Sequence, residues 1–252
     1  MRRPANGFSL IELAVGIFII ALLLASVLVP LQTQVENRKI EETQRMLAQA
    51  RDIVLGYVAA NGYFPCPASS VTNGQEALGA FAHDSVSGSC ATYNGFLPAA
   101  ALGFSPVDAQ GYGVDAWALP ANRIRYAVFT GAGTVGTSLI RSGGMAGIGI
   151  PVLGTASLFS ICASGAGVSA SDCGSPLPAG QVILSTNAAV VIWSLGARSA
   201  ATSVHELENL DNDRVFVTRT HSDVAGVEFD DLVTWIPMNL VISRLVAAGQ
   251  LP

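Results

Sequence analysis

From Leu13 to Leu31 the chain carries no charged side chain, and apolar residues fill nearly every position rather than one face. A helix of that length rises about 1.5 Å per residue and matches a hydrocarbon core of about 30 Å. Past Pro30 the pattern becomes one-sided. Leu31, Val35, Met46, Leu47, Ala50, Val54 and Val58 recur near helical spacing, with Glu41 and Arg45 paired at i,i+4 on the polar side. The helix is therefore expected to continue to about Ala60 and to stop at Asn61-Gly62, with Pro65 and Pro67 close behind. From Tyr63 to Ala121 Gly, Pro and Ser dominate and periodicity is lost, which predicts a long insertion. Runs rich in β-branched and aromatic residues follow at Ile124–Phe129, Leu158–Cys162, Val182–Leu184, Ala189–Leu195, Arg214–Thr220 and Phe229–Trp235, each separated by Gly-rich segments. Pro237 then opens a short helix, Met238 to Ala248, closed by Gly249. The predicted fold is α+β: a long N-terminal helix, half membrane segment and half amphipathic, packed on an antiparallel β-sheet, with a large disulfide-bearing insertion.

Charge at the front of the chain changes the picture. Arg2 and Arg3 precede the apolar run, whereas Glu36, Arg38, Lys39, Glu41 and Glu42 behind it are of mixed sign. The positive-inside rule leaves the N-terminus cytoplasmic and sends the rest outward. A secretory signal peptide would have a shorter apolar core followed by a small-x-small cleavage site, which Leu22-Leu23-Leu24-Ala25-Ser26-Val27 does not offer. A plain single-pass anchor explains the apolar run but neither the glycine before Phe8 nor Glu12. A carboxylate at the start of a lipid-facing segment costs a few kcal/mol and calls for a partner or for snorkelling to the interface.

The heptapeptide Gly7-Phe8-Ser9-Leu10-Ile11-Glu12-Leu13, with its short polar leader, resembles the processing and assembly signal of type IV prepilins and type II secretion pseudopilins. The resemblance implies cleavage after Gly7 by a prepilin peptidase, N-methylation of the new terminus Phe8, and a role for Glu12 in guiding subunits into a helical filament. It implies a pilin-like fold, a leader over residues 1–7, and an N-terminal helix over 8–61 that crosses the inner membrane at about 10–31. Residues 62–252 would then form a periplasmic globular domain. Its partners would be other pilin or pseudopilin subunits, the peptidase/methyltransferase and the inner membrane. Cleavage leaves a charged amine on Phe8 at membrane depth. At about 4 Å and an effective dielectric near 20, a neighbour's Glu12 attracts it by about 4 kcal/mol before desolvation.

Two internal patches are similar to segments of the major pseudopilins. Asp115-Ala116-Trp117-Ala118-Leu119-Pro120, with Tyr126 after it, is similar to their Asp-x-Trp-Gly-x-Pro segment, with Ala118 in place of the glycine. Val191-Ile192-Trp193-Ser194-Leu195-Gly196-Ala197 is similar to the strand that leads into their calcium loop, but Arg198 stands where the family has an acid. Asp211-Asn212-Asp213, with Glu206 and Glu208 nearby, is the other candidate oxygen cluster, and a solvated acidic turn is the expectation there. No metal and no cofactor is expected.

Composition fits an exported, tethered protein. Formal charge over the 252 residues is −5, and a single lysine, Lys39, accompanies scattered arginines, so no basic stripe for nucleic acid exists. Only 12% of residues are charged, against about a quarter in ordinary soluble domains. Cys66, Cys90, Cys162 and Cys173 allow three pairings. The local one, Cys66–Cys90 with Cys162–Cys173, is preferred because each pair brackets a turn-rich loop.

Three motifs suggest catalysis and fail on inspection. Gly131-Ala132-Gly133-Thr134-Val135-Gly136 has the dinucleotide fingerprint after a strand. The residues beyond, Gly143-Gly144 through Gly149 and Pro151, are not expected to be helical, and no acid follows before Asp172. His83, His205 and His221 are assigned to dissimilar loops, with His221-Ser222-Asp223 a turn rather than a triad. Asp230-Asp231 opens a strand and points to opposite faces. The expectation is a non-enzymatic minor pilin or pseudopilin. Its rival is a membrane-anchored periplasmic adhesin or carbohydrate-binding domain that does not polymerise.

Overall fold

The computed structural model describes residues 9–118, 122–130 and 134–251, without the side chains of 24–32 and 134. The leader, Gly7 and Phe8 lie outside the described residues. Contacts divide the chain into two compact units, Met1–Glu41 and Glu42–Pro252. Helix α1 runs from Leu10 to Asn61 and contributes to both. Among the described residues no helix is long and apolar enough to cross a membrane. The span expected at about 10–31 includes residues 24–32, whose side chains are not described.

In the second unit α1 presents Leu47, Ala50, Val54 and Val58, all buried, at spacings of three and four residues. These side chains lie on one face of the helix. Fully burying a Val or Leu contributes about 1.5–3 kcal/mol, which is why this half of the helix belongs to the globular core. Gly62, with φ 77°, ends the helix in the left-handed conformation, and its N–H donates to the Val58 carbonyl at 2.8 Å.

The sheet comprises β1 (Asn94–Phe96), β2 (Arg125–Val128), β3 (Phe159–Cys162), β4 (Ile183–Ser194), β5 (Val215–Val217) and β6 (Leu232–Pro237). Its order is β1-β2-β4-β3-β5, with β6 also paired to β4. The expectation of an antiparallel sheet needs correction. The other pairings are antiparallel, but β3 and β5 run parallel, with Ile161 opposite Phe216, so the sheet is mixed. Parallel pairing requires a crossover, which β4 and the short helix α5 (Val204–Leu207) supply.

β4 unites the two runs expected separately at Val182–Leu184 and Ala189–Leu195. Ser185, Thr186 and Asn187 interrupt the apolar pattern because that half of the strand is exposed or only partly buried, whereas Val190 to Trp193 are fully buried. Edge-to-face ring pairs link Trp193 to Phe216 (5.0 Å), Phe216 to Phe159 (5.2 Å) and Phe159 to Phe129 (5.4 Å).

Helix α6 (Met238–Ala247) buries Met238, Val241 and Leu245, and the Gln250 amide beyond it donates to the Ala60 carbonyl at the end of α1. The insertion contains β1 and the single turn α2 (Ala99–Leu102), both too short to show a period. Two further helices follow, α3 (Thr134–Ser138) and α4 (Gly144–Gly154), and α4 overturns the expectation that the stretch from Gly143 to Pro151 is not helical. Gly149, with φ 73° and ψ 169°, breaks α4 into two short pieces, so glycine and Pro151 kink the helix without abolishing it.

Cys66 pairs with Cys90, and Cys162 with Cys173. The loops closed span sequence separations of 24 and 11 residues, and each closure contributes on the order of 3 kcal/mol in the chain-entropy account.

Candidate functional site

Helix α1 begins with a reciprocal cap. The Ser9 hydroxyl accepts the Glu12 N–H at 3.3 Å, and the Glu12 carboxylate accepts the Ser9 N–H at 3.1 Å. This is a capping box, two otherwise orphaned N–H groups satisfied by side chains three residues apart. The Ser-x-x-Glu spacing was the signal for it, and the reading of Glu12 as an assembly residue alone passed over it. The cap fixes the helix start at Leu10, two residues after Phe8, and holds the Glu12 carboxylate at the positive end of the helix dipole.

Among the described residues, the segment behind it stands largely uncovered. Ten large hydrophobic side chains between Leu10 and Leu23 are exposed, from Leu10 at 88% to Ile19 at 51%. A fully exposed side chain of this size forgoes about 1.5–3 kcal/mol of burial and a half-exposed one correspondingly less, and a contiguous patch of that kind marks a surface for lipid or protein.

The Asp115 segment is built into the core. Asp115 is buried and accepts the Ser194 hydroxyl (2.6 Å), the Trp117 N–H (2.9 Å) and the Ala118 N–H (3.3 Å), while the Ala116 N–H donates to Thr43 of α1 (3.1 Å). Burial raises the Asp115 pKa, and these donors offset part of the rise. Leu119 and Pro120 lie outside the described residues. Ala118 adopts φ 53°, the left-handed region that glycine occupies freely. Holding alanine there costs about 1–2 kcal/mol, less the backbone entropy that a glycine would add to the unfolded chain. Ala118→Gly is therefore expected to be neutral to stabilising by up to about 1 kcal/mol in chemical denaturation, whereas Ala118→Val should destabilise.

Beyond β4 the loop folds around Arg198. Its guanidinium reaches Glu206 at 3.0 Å, Asp223 at 3.4 Å and Asp230 at 3.5 Å, and its backbone N–H donates to the other Asp230 oxygen at 2.8 Å. Glu206 also accepts the N–H groups of Thr202 (3.0 Å) and Asp230 (3.2 Å). Gly196, at φ 65°, lies so close to the Asp230 carbonyl that a Cβ would collide with it. A positive charge thus sits among three carboxylates, supplied by a side chain of the protein itself.

The second oxygen cluster assembles only in part. Carboxylate oxygens of Glu208, Asp211 and Asp213 lie within 4.8 Å of one another, whereas Glu206 is turned to Arg198. Burial, with the charges of Asp211 and Asp213, pushes Glu208 up to about 7, and burial pushes Asp213 up to about 6. The turn is not simply solvated, since only Asp211 of the three is exposed and the other two are partly buried. Asp211 and Asp213 already accept backbone N–H groups from Asp213 and Val215. Offering one oxygen each, these three carboxylates would leave the rest of the roughly six to eight oxygen ligands of calcium to other groups.

The remaining candidates fall elsewhere. His205 is on α5 rather than in a loop, buried, with Nδ1 accepting the Gly165 N–H at 2.9 Å. Burial and the charge of Arg219 lower its pKa. His221 pairs with Asp223 at 3.1 Å on the surface, and Ser222 accepts the Val224 N–H instead of joining them. Asp230 and Asp231 precede β6, are both buried, and serve different partners, Arg198 and Asn209. Burial holds Asp231 up at about 7. Although α3 begins within the glycine fingerprint, at Thr134, β2 pairs antiparallel to β1 and β4, so the parallel βαβ unit that the fingerprint needs is missing among the described residues.

No curated protein and no solved structure matches the chain. Residues 2–28 match the family model of the prokaryotic N-terminal methylation motif, a stretch that takes in Gly7, Phe8, the Ser9–Glu12 cap and most of the exposed apolar run. The chain thus carries at its N-terminus the type IV prepilin and pseudopilin signal.

Proposed function

We propose that the chain is a minor pilin or pseudopilin, a non-enzymatic subunit that inserts in the inner membrane and joins a filament of the type II secretion or type IV pilus class. The match of residues 2–28 to the methylation motif carries this reading. The exposed apolar side chains from Leu10 to Leu23 support it, because lipid before assembly and neighbouring subunits after it would cover them. In this reading a prepilin peptidase cuts after Gly7, Phe8 is N-methylated, and Glu12 neutralises the Phe8 amine of an adjoining subunit. The domain that follows α1 stands on the periplasmic side. Its size and two disulfides suit a low-abundance subunit rather than the repeating shaft. The test is the identity of the mature N-terminus after co-expression with an active prepilin peptidase.

A further inference from the structure

One imidazole joins the end of α1, the disulfide-bearing insertion and the segment after α3. His83 Nδ1 lies 2.7 Å from the Ile140 carbonyl, and its Nε2 lies 2.7 Å from Glu76 Oε2. A carbonyl has no proton to give, so Nδ1 must donate. A carboxylate at the other nitrogen accepts as well, and only the imidazolium donates from both positions. Tyr63 stacks on the ring with centroids 4.3 Å apart. Glu76 is the hub on the other side: Oε2 also accepts the Cys66 N–H at 2.7 Å, and Oε1 accepts the Tyr57 hydroxyl of α1 at 3.2 Å. The backbone closes the circuit, with the Ser142 N–H donating to the His83 carbonyl at 3.0 Å. The pair is largely shielded, with side-chain exposures of 12% for His83 and 14% for Glu76.

We propose that His83 is a pH-sensitive clasp that fastens the insertion to the end of α1 and to residues 140–142, closed while the ring is charged and loosened when it loses its proton. Burial opposes the charge, but the Glu76 hydrogen bond, the Ile140 carbonyl and the Glu76 charge outweigh it, and the pKa rises above the ordinary 6.5. A folded-state value above the unfolded one stabilises fully below 6.5, and the contribution is lost as pH rises through the raised value.

The other groups around the ring do not imitate this response. Tyr57 is pushed up by burial and by the Glu76 charge. Asp84, next in the chain, is held low by the N–H groups of Ser87 and Val86. Arg141 is engaged elsewhere, its Nε donating to the Gly88 carbonyl. Tyr63 contributes a ring face. Order in the insertion then follows the acidity of the compartment that the domain occupies.

The test uses the full chain in detergent micelles, with His83 followed by NMR between pH ~5 and ~9. Its ring should titrate above 6.5. Hydrogen-exchange protection of residues 76–90, corrected for intrinsic rates, should fall with the same midpoint by roughly tenfold per unit of pKa elevation, while the amides of β4 and β6 stay unchanged. His83→Gln cannot titrate, so protection there should be low at acidic pH and flat across the range. Glu76→Gln removes the acceptor charge and should bring the His83 pKa down, a readout that survives if His83→Gln folds poorly. A His83 ring titrating at or below 6.5, or the same pH dependence in His83→Gln, would overturn the clasp.

Discussion

Replacing Arg198 with alanine is expected to cost about 3 kcal/mol of stability near neutral pH, at the lower end of the 3–5 kcal/mol range for breaking a buried ion pair. Glu206 is 1% exposed and Asp230 8%, and both face the guanidinium. The head group of Arg198 is itself partly open to solvent, with a side-chain exposure of 32%, which screens the attraction and sets the lower figure. The deficit should shrink in acid. Burial already pushes Asp230 up to about 6, and removing the guanidinium pushes it further, so that protonation neutralises the stranded charge as pH falls through that value. Arg198→Lys should recover part of the loss, since it restores the charge without the planar fork. Chemical unfolding of Arg198→Ala and wild type at pH ~8 and ~5 measures both effects. A loss below about 1 kcal/mol at the higher pH would mean that the node is an ordinary solvent-screened surface pair.

Glu12 should have the second large effect, on assembly rather than on folding. Glu12→Ala removes a carboxylate from an apolar segment, so insertion should persist or improve, and cleavage should persist because Gly7 and the leader are untouched. Incorporation beside neighbouring subunits should fail, because the Phe8 amine of an adjoining subunit stays buried without a counter-charge. The capping box gives Glu12 a second role that alanine removes as well. Glu12→Gln separates them, since glutamine can still close the cap but cannot neutralise an amine. Crosslinking to partner pilins at equal membrane levels should drop as far for Glu12→Gln as for Glu12→Ala. If Glu12→Gln assembles like wild type, the cap is the function of this residue and the inter-subunit ion pair is wrong.

How much of this was legible in the sequence depends on the range of the interaction. Helix α1 was, because Leu47, Ala50, Val54 and Val58 repeat with its period and Asn61-Gly62 supplies a stop. Most strands were, because buried β-branched runs such as Val190–Ile192 have little alternative. The parallel β3–β5 pairing was not, since it joins residues more than fifty positions apart whose local patterns carry no sign of direction. Helix α4 was hidden because its core contacts, Met145 and Leu153, hold a segment whose glycines and proline argue locally against a helix. At the sites, the Ser9–Glu12 cap was written in the spacing. The Arg198 node was not, because Glu206 on α5, Asp223 and Asp230 come from separate segments that only the fold brings together. The His83 clasp was equally out of reach, since Ile140 is 57 residues away and contributes only a backbone carbonyl.

The central claim is that the N-terminal segment is a prepilin signal in use, and the intact mass of the membrane-extracted protein tests it most directly. Co-expressed with an active prepilin peptidase, the wild-type chain should begin at Phe8 and carry one N-methyl group. Gly7→Val, with a branched side chain where the peptidase needs a small residue, should keep the full leader. A wild-type chain that still begins at Met1 under those conditions would contradict the account.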